Sequence, residues 1–525
     1  MKKFFIAIVI LQMFFLASCT KGWLDINDNP NNPNTSVPTV DLRLPSILAQ
    51  FVDGYESAGT RGALVSQQLV SANNSANNWN LTQWNITSAA GNWPYQSWYV
   101  YCGVNIPDLL KAAEKVGANH YYGAGKIIWA WGFTNLADMY GMVPFDEAFV
   151  GGNMTPKYNQ GDYIYEKALQ ELEVGIQYLQ KQQGESAPSL SKGDYLYQGD
   201  VQKWIKLAYG LKARLLNHLS KTDKYNPSAI LESIEKAPLL ASESAIYQYQ
   251  DELVSTNAST NSLQYANNNT NRLSQLYINY ILNKYTGAPS GGGNVEDPRA
   301  LLLIPNIISK GVQNRTVGVD LSTLSANGFP SSEPKYAALR AVAETATVSG
   351  STGTWYTTKG AKGLLLTNSE MYFIRAEVYF KQNNKVQALQ AYKDGIKAHC
   401  ELLGVNSSNF LGSTSVVQDA NLLTLSQIMI QKYIALSYSP EMFNDVRRMN
   451  FCTDKAGNYD ESQGIYKGFI RPSFAYNVSF PNQTMWPRRF NVPTYGIQYN
   501  LDQVLKSDPD AQSVTYMAKP VFWDK

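Results

Sequence analysis

Asn368-Ser369-Glu370-Met371-Tyr372-Phe373-Ile374-Arg375-Ala376-Glu377-Val378-Tyr379-Phe380-Lys381-Gln382, a turn at Asn383-Asn384, and a second run from Lys385 to His399 decide the fold. Two helical segments joined by two residues must fold back on each other. Tyr379, Ala388, Tyr392 and Gly395 keep the 9, 4 and 3 spacings of a tetratricopeptide-like hairpin. Tyr372 and Ala376 take the large and small positions of its first helix. Small residues let the two helices approach, and large ones fill the gap to the next pair. Such pairs need neighbours to bury their outer faces.

Neighbours for this hairpin are legible on both sides of it in the chain. Upstream, Leu44, Ile47, Leu48 and Phe51 begin a helix near Val40. Further helices are expected over about 98–115 and over 121–140, the latter ending at Gly141. Another is expected from Asp162 as N-cap, with the stripe Ile164, Ala168, Leu172, Ile176 and Leu179. The last upstream helix runs from Asp200 to Ser220, with Trp204, Leu207, Leu211, Leu215 and Leu219 on one face. Downstream, two more cover about 423–437 and 441–450. The expected class is all-α: helix pairs at about 40–240 and 367–450, supporting a loop-rich insert at about 241–366. A proline-broken, mostly irregular segment follows at 451–525. Long irregular loops in a compact domain are usually functional or disordered. The glycines at 291–293 lack the Lys-Ser/Thr of a phosphate loop.

The N-terminus reads as an address. Lys2 and Lys3 precede an apolar run from Phe4 to Leu16, which is too short to span a bilayer comfortably. Leu16-Ala17-Ser18-Cys19 has the form of a bacterial lipobox. Residues 1–18 are then a signal peptide, Cys19 is the lipidated first residue of the mature chain, and 19–39, rich in Asn, Asp and Pro, is a tether. The chain is expected to be anchored to a membrane without crossing it.

Composition narrows the function. The 525 residues carry a net charge of +2 and no basic patch of the kind nucleic-acid binding needs. Charged residues are only 16% while aromatics are 12%, 34 of them Tyr, which suits binding neutral polar ligands through rings and amides. Beyond Cys19, the cysteines Cys102, Cys400 and Cys452 are odd in number and far apart, against a disulfide framework. His120, His218 and His399 show no zinc spacing, and no metal or other cofactor is expected.

The chain resembles the SusD/RagB outer-membrane lipoproteins of Bacteroidota. The resemblance rests on Trp23-Leu24-Asp25-Ile26-Asn27, on Leu136-Ala137-Asp138-Met139-Tyr140-Gly141, and on Thr155-Pro156-Lys157-Tyr158. Gly193-Asp194-Tyr195-Leu196-Tyr197-Gln198-Gly199-Asp200 with Lys203-Trp204 is the most specific stretch. Asp297-Pro298-Arg299, Thr367-Asn368-Ser369-Glu370, Arg375-Ala376-Glu377, Gln431-Lys432-Tyr433, Glu441 and Arg447-Arg448 complete the set. Two places depart from the family: Gly496 stands where a Glu is usual, and Phe443 replaces a Trp. The resemblance implies an all-α, cell-surface protein that acts as a hinged lid over a SusC-like, TonB-dependent barrel. It implies an oligosaccharide or sometimes a peptide as ligand, and no catalytic residues.

A sugar offers an apolar face and a hydroxyl rim, so its site needs flat rings with amides or Arg beside them. Residues 73–101 offer Trp79, Trp84, Trp93 and Tyr95 among asparagines, with Asn78 at the rim, and no helical stripe explains the first two tryptophans. A ring in a loop either anchors that loop or meets a ligand. In the family the middle zone faces this loop, which adds Arg315, Trp355 and Tyr356 as further candidates. Trp98, Trp129, Trp131 and Trp204 lie on helices and read as packing. A glycan-capturing lipoprotein is the leading reading. A peptide ligand on the same kind of transporter is the alternative, and a surface glycoside hydrolase a further one. Hydrolysis needs two carboxylates at a set separation, one of them protonated near neutrality, and no motif here supplies them.

If the lipobox reading holds, Cys19→Ala should release the protein from the membrane fraction and abolish palmitate labelling, because the acyl chains supply the attachment. Unchanged retention would count against it.

Overall fold

A computed structural model describes residues 38–74, 76–249, 270–358 and 360–524. Cys19 and most of the tether lie outside these residues. The scaffold is helical. α1 (Val40–Val65) is followed by α2 (Ala76–Thr82), α3 (Ile106–Val116), α4 (Asn119–Tyr140), α5 (Gly161–Gln180), α6 (Val201–His218) and α7 (Pro227–Glu235). After α8 (Gln275–Ile281) come α9 (Asn368–Lys381), α10 (Lys385–Leu403), α11 (Leu425–Ala435) and α12 (Pro440–Arg448). The last helices are α13 (Thr494–Tyr499) and α14 (Leu501–Ser507). Consecutive helices pack in pairs, α3 on α4, α4 on α5, α6 on α7 and α9 on α10, while α1 lies against α12.

The local rules explain most boundaries. Asp200 caps α6 by accepting from Gln202 N and Lys203 N, and Thr367 caps α9 by accepting from Glu370 N. Gly141 ends α4 at φ 83°, where a side chain would be strained. The expected N-cap at Asp162 is corrected: α5 starts at Gly161, Gln160 is the capping residue, and Asp162 sits in the first turn. The helix expected from Trp98 is corrected too. Ser97–Cys102 is a π turn followed by a 3-10 turn, and regular helix begins at Ile106. Gly132 of α4 explains the close approach there, since a Cβ would land within the Trp98 ring.

The strands are small antiparallel pieces, most of them in the insert. β1 (Leu69–Ser71) pairs with β5 (Asn271–Leu273), and β4 (Ala245–Tyr247) with β10 (Gly363–Leu366). β2 (Met142–Pro144) pairs with β3 (Tyr158–Gln160). β6 (Asn306–Ser309), β7 (Val312–Arg315), β8 (Ala341–Val342) and β9 (Gly350–Thr352) form a four-stranded sheet in the order β7-β6-β9-β8. One apolar cluster runs through the helices from Val40 to Trp523.

Buried charges tie these layers together. Arg214 on α6 forks onto Glu370 on α9 at 2.7 Å through both nitrogens, and both side chains are almost fully buried. Arg448 on α12 reaches Glu377 on α9 and Asp445, and Lys432 on α11 reaches Asp445 at 2.8 Å. Arg299 pairs with Asp297 at 2.6 Å and contacts His399 on α10 and Gln431 on α11, pinning the insert to the scaffold. Asp194 accepts from Leu196 N, Tyr197 N, Gly199 N and the Trp204 indole, which closes its turn against α6. His218 bridges Tyr165 and Glu441, each at 2.8 Å. Burial alone would raise the Glu441 carboxyl, but Arg214 and His218 outweigh it and hold it well below its usual range. Burial pushes the nearby Asp138 carboxyl up to about 6. Its Oδ1 accepts the Trp523 indole at 2.7 Å, so the chain's C-terminal end is docked into the helical core.

Two departures from the family are packing solutions. A side chain at Gly496 would collide with the Tyr158 hydroxyl. Phe443 is buried edge-on to Phe490 at 5.6 Å, beneath the Arg447 guanidinium.

Removing one partner strands a buried charge, which costs about 3–5 kcal/mol, whereas replacing both by apolar groups of similar volume is often neutral. Glu370→Ala should therefore lower the denaturant midpoint strongly, and the Arg214→Met/Glu370→Leu double variant should regain part of that loss, the remainder being the cationic neighbour that the buried Glu441 loses with Arg214. Equal losses in both variants would show that the pair is not what matters.

Candidate functional site

The sharp end of α1 sets up the site. After Val65 the chain turns through Gln67, at φ 62°, into β1, whose partner β5 leads directly into α8. Ser274 caps α8 by accepting from Tyr277 N at 3.0 Å and donates its own hydroxyl to the Gln67 carbonyl. Gln67 Nε2 donates to the Ile470 carbonyl at 2.6 Å, which brings the C-terminal segment alongside. Between α8, the 319–321 strip and residues 461–470 lies a cleft of about 520 Å³. That is within the range of sites for small ligands, roughly 300–1,000 Å³. A second cavity, beside Tyr55, Leu365 and Tyr438, holds only about 40 Å³, room for little more than a water molecule.

The cleft is polar over an apolar floor. Leu276, Leu321 and Ile470 supply apolar surface, and Tyr285 supplies a ring. Gln275 and Asn279 stand one turn apart on α8, with Gln275 Nε2 donating to Asn279 Oδ1 at 2.8 Å. Gln275 Oε1 accepts from Gly318 N, so the amide pair is held in place while the Asn279 NH2 keeps no acceptor among the described residues. Lys467 is steered by donating to the Glu461 and Ser462 carbonyls. Asp320, Glu461 and Lys284 complete the charged lining, and Asp320 Oδ1 is spent on Ser322 of its own turn.

Val319 and Leu321 also belong to a small apolar cluster with Val70, Ala72 and Phe329, which carries the cleft over towards α2. There the N-terminal and middle zones meet. Asn73 Nδ2 donates to the Asn327 carbonyl at 2.7 Å, Asn74 Nδ2 to Ser331 Oγ at 2.9 Å, and Gln83 Nε2 to the Ala326 carbonyl at 3.3 Å. Trp79 stacks on Phe474 at 5.4 Å and 23°, and a side chain at Gly328 would meet its edge; 8% of Trp79 is exposed.

The expected contact residues do not gather at one place. Trp84 is 0% exposed, adopts φ 57° and packs on Phe480 and Trp486, each at 5.7 Å. Tyr95 is buried against Tyr99 at 4.3 Å and Tyr140 at 6.0 Å. Tyr356 is buried, with its hydroxyl 3.1 Å from His399 Nε2. For these three rings, and for Trp79, which lies on α2 and is as buried as Tyr95, the sequence expectation is corrected: each packs against the protein and has almost no face open to a ligand. Asn78 is half-buried, and its carbonyl accepts from Thr82 Oγ1. Arg315 is exposed but clamped in a fork on Glu296, at 2.7 and 2.6 Å. Trp355 is half-buried, edge-on to Tyr356. Trp93 is half-buried, and its indole donates to Asp53 Oδ2 at 2.9 Å.

Sequence reasoning missed the cleft residues because it searched for tryptophan in loops. The available signal was Gln275-x-x-x-Asn279, a polar pair at one-turn spacing on a short, otherwise apolar helix. Asn279→Ala should weaken oligosaccharide binding several-fold, the worth of about one hydrogen bond, with an unchanged melting curve. Trp84→Ala should instead lower stability by about 3–5 kcal/mol while its folded fraction binds normally. The opposite pairing of outcomes would return the site to the tryptophan loop.

A family model described as "Starch-binding associating with outer membrane" matches residues 30–453. Solved structures share the fold. A SusD/RagB family protein from Bacteroides thetaiotaomicron aligns at TM-score 0.65 and 20% identity, covering 93% of this chain and 99% of that one. A chitin-binding SusD homolog from Flavobacterium johnsoniae aligns at TM-score 0.64 and 18% identity, covering 92% and 98%. A further SusD homolog from Bacteroides thetaiotaomicron aligns at TM-score 0.66 and 15% identity, covering 93% and 99%. No curated protein sequence matches the chain. Among the described residues, no helix is long and apolar enough to cross a membrane. The chain belongs to the SusD-like family, whose members associate with the outer membrane.

Proposed function

We propose that the protein is a cell-surface lipoprotein that binds a glycan in the cleft between α8 and residues 461–470 and delivers it to a SusC-like, TonB-dependent transporter. The cleft itself carries this reading: it has the volume for a short oligosaccharide, an apolar floor, and an amide pair held in place at its wall. The family's description as starch-binding, and a chitin-binding relative of the same fold, favour a neutral sugar chain. The protein acts by binding, without catalytic residues, and its lid motion would be a hinge.

One observation favours a peptide as the second reading. The cleft is lined by Asp320, Glu461, Lys284 and Lys467, a mixture of charges that a peptide's own charged groups could pair with. Calorimetric titration with starch and chitin oligosaccharides, set beside short peptides, separates the two. The expected result is saturable binding of an oligosaccharide, no new reducing ends after long incubation, and co-purification of the lipoprotein with a large β-barrel from detergent extracts. Tight peptide binding with no glycan binding would replace the glycan by the peptide. Accumulating product ends would make the protein an enzyme.

A further inference from the structure

Away from the cleft, four aromatic side chains with exposed surface lie on two segments that hydrogen bonds fasten together. α13 places Tyr495 and Tyr499 one turn apart, 37% and 71% exposed. The Tyr495 hydroxyl donates to Gln96 Oε1 at 2.8 Å, and Thr494 N donates to Asn92 Oδ1 at 2.8 Å, so α13 is fastened to the 92–96 turn. On that turn Trp93 lies 6.0 Å from Tyr101, which is 39% exposed. The Trp93 indole cannot swing freely because Asp53 of α1 holds its N–H. Asn92 and Gln96 have both given their oxygens to the protein, which leaves each NH2 without an acceptor among the described residues. Oriented rings flanked by uncommitted amide donors are the chemistry that meets a sugar: an apolar C–H face on the ring, and hydroxyls at the rim.

We infer that Trp93, Tyr101, Tyr495 and Tyr499, with Asn92 and Gln96, form a second saccharide-binding platform, separate from the cleft. Asp53, which fixes Trp93, lies 14 residues before Gln67, which lines the cleft. At 1.5 Å per helical residue that is about 20 Å along α1. With Tyr101, Tyr495 and Tyr499 each more than a third exposed, the platform suits a long neutral chain lying across the surface and adds retention on a polymer that presents many repeats. This inference rests on the reading that the ligand is a glycan.

Retention of the intact protein on insoluble starch, chitin and cellulose tests it, with melting curves for every variant. Tyr101→Ala/Tyr499→Ala should melt as the wild type does, since both rings are substantially exposed, and should lose several-fold in retention. Trp93→Ala should lose more, and Trp93→Phe should recover part of that loss. If the platform variants are retained like the wild type while Asn279→Ala is not, the platform is wrong and the cleft reading stands. If they keep glycan retention but no longer co-purify with the outer-membrane barrel, the face is a protein interface and the platform is equally wrong. A wild type retained on none of the three polymers would overturn both readings together.

Discussion

Everything else in this molecule depends on charges buried between helices. Arg448, Glu377, Asp445 and Lys432 bring α9, α11 and α12 together, and Arg214 with Glu370 joins α6 to α9. Taking such groups out of water is costly, and they survive only when each is paired with good geometry. That condition makes the arrangement of the helices specific: a slip of one helix past another would leave an Arg or Glu unmatched in the core. The insert is placed by the same device. Arg299 reaches Asp297, His399 and Gln431 at once, which fixes the middle of the loop-rich region against α10 and α11.

This constraint also explains what was legible in the sequence. The short motifs that mark the family are the members of these networks: Asp194 with Trp204, Asp297 with Arg299, Glu370, Glu377, Glu441 and Arg448. Their spacing is local enough to be seen in a string of letters. The helices were legible for the usual reason, since apolar stripes such as Ile164, Ala168, Leu172, Ile176 and Leu179 repeat at helical period and are all buried. Boundaries were less so. The π turn at Ser97–Cys102 continues the apolar pattern of a helix, and nothing in its composition announces a change of pitch.

The candidate site was much harder to read, because it is assembled from segments far apart in the chain. Gln67, Asn279, Asp320 and Lys467 meet through the β1–β5 pairing, the bonds of Ser274 and Gln275 to Gln67 and to the 318–319 backbone, and the bond from Gln67 to Ile470. A tryptophan among asparagines is ambiguous in sequence. Trp84 and Trp93 have similar neighbours, yet one is sealed under Phe480 and Trp486 while the other keeps an open edge beside Tyr101. What separates them is which part of the C-terminal segment folds back on each: Phe480 and Trp486 close over Trp84, while α13 bonds to Asn92 and Gln96 beside Trp93, a tertiary difference with no local signature. The same fold-back docks Trp523 onto Asp138, so the irregular C-terminal segment is part of the core.

The scaffold and the binding surface thus divide the work. Charge-locked helices hold the elements that line the cleft, among them α8 with its Gln275–Asn279 amide pair. A crystal structure of the protein soaked with a starch or chitin oligosaccharide tests this most directly. Sugar density is expected in the cleft, with a hydroxyl or amide of the ligand within hydrogen-bond distance of Asn279 and a ring against the floor at Leu276 and Leu321. Density found only at a site remote from both the cleft and the Trp93 face, or none at saturating ligand, would contradict it.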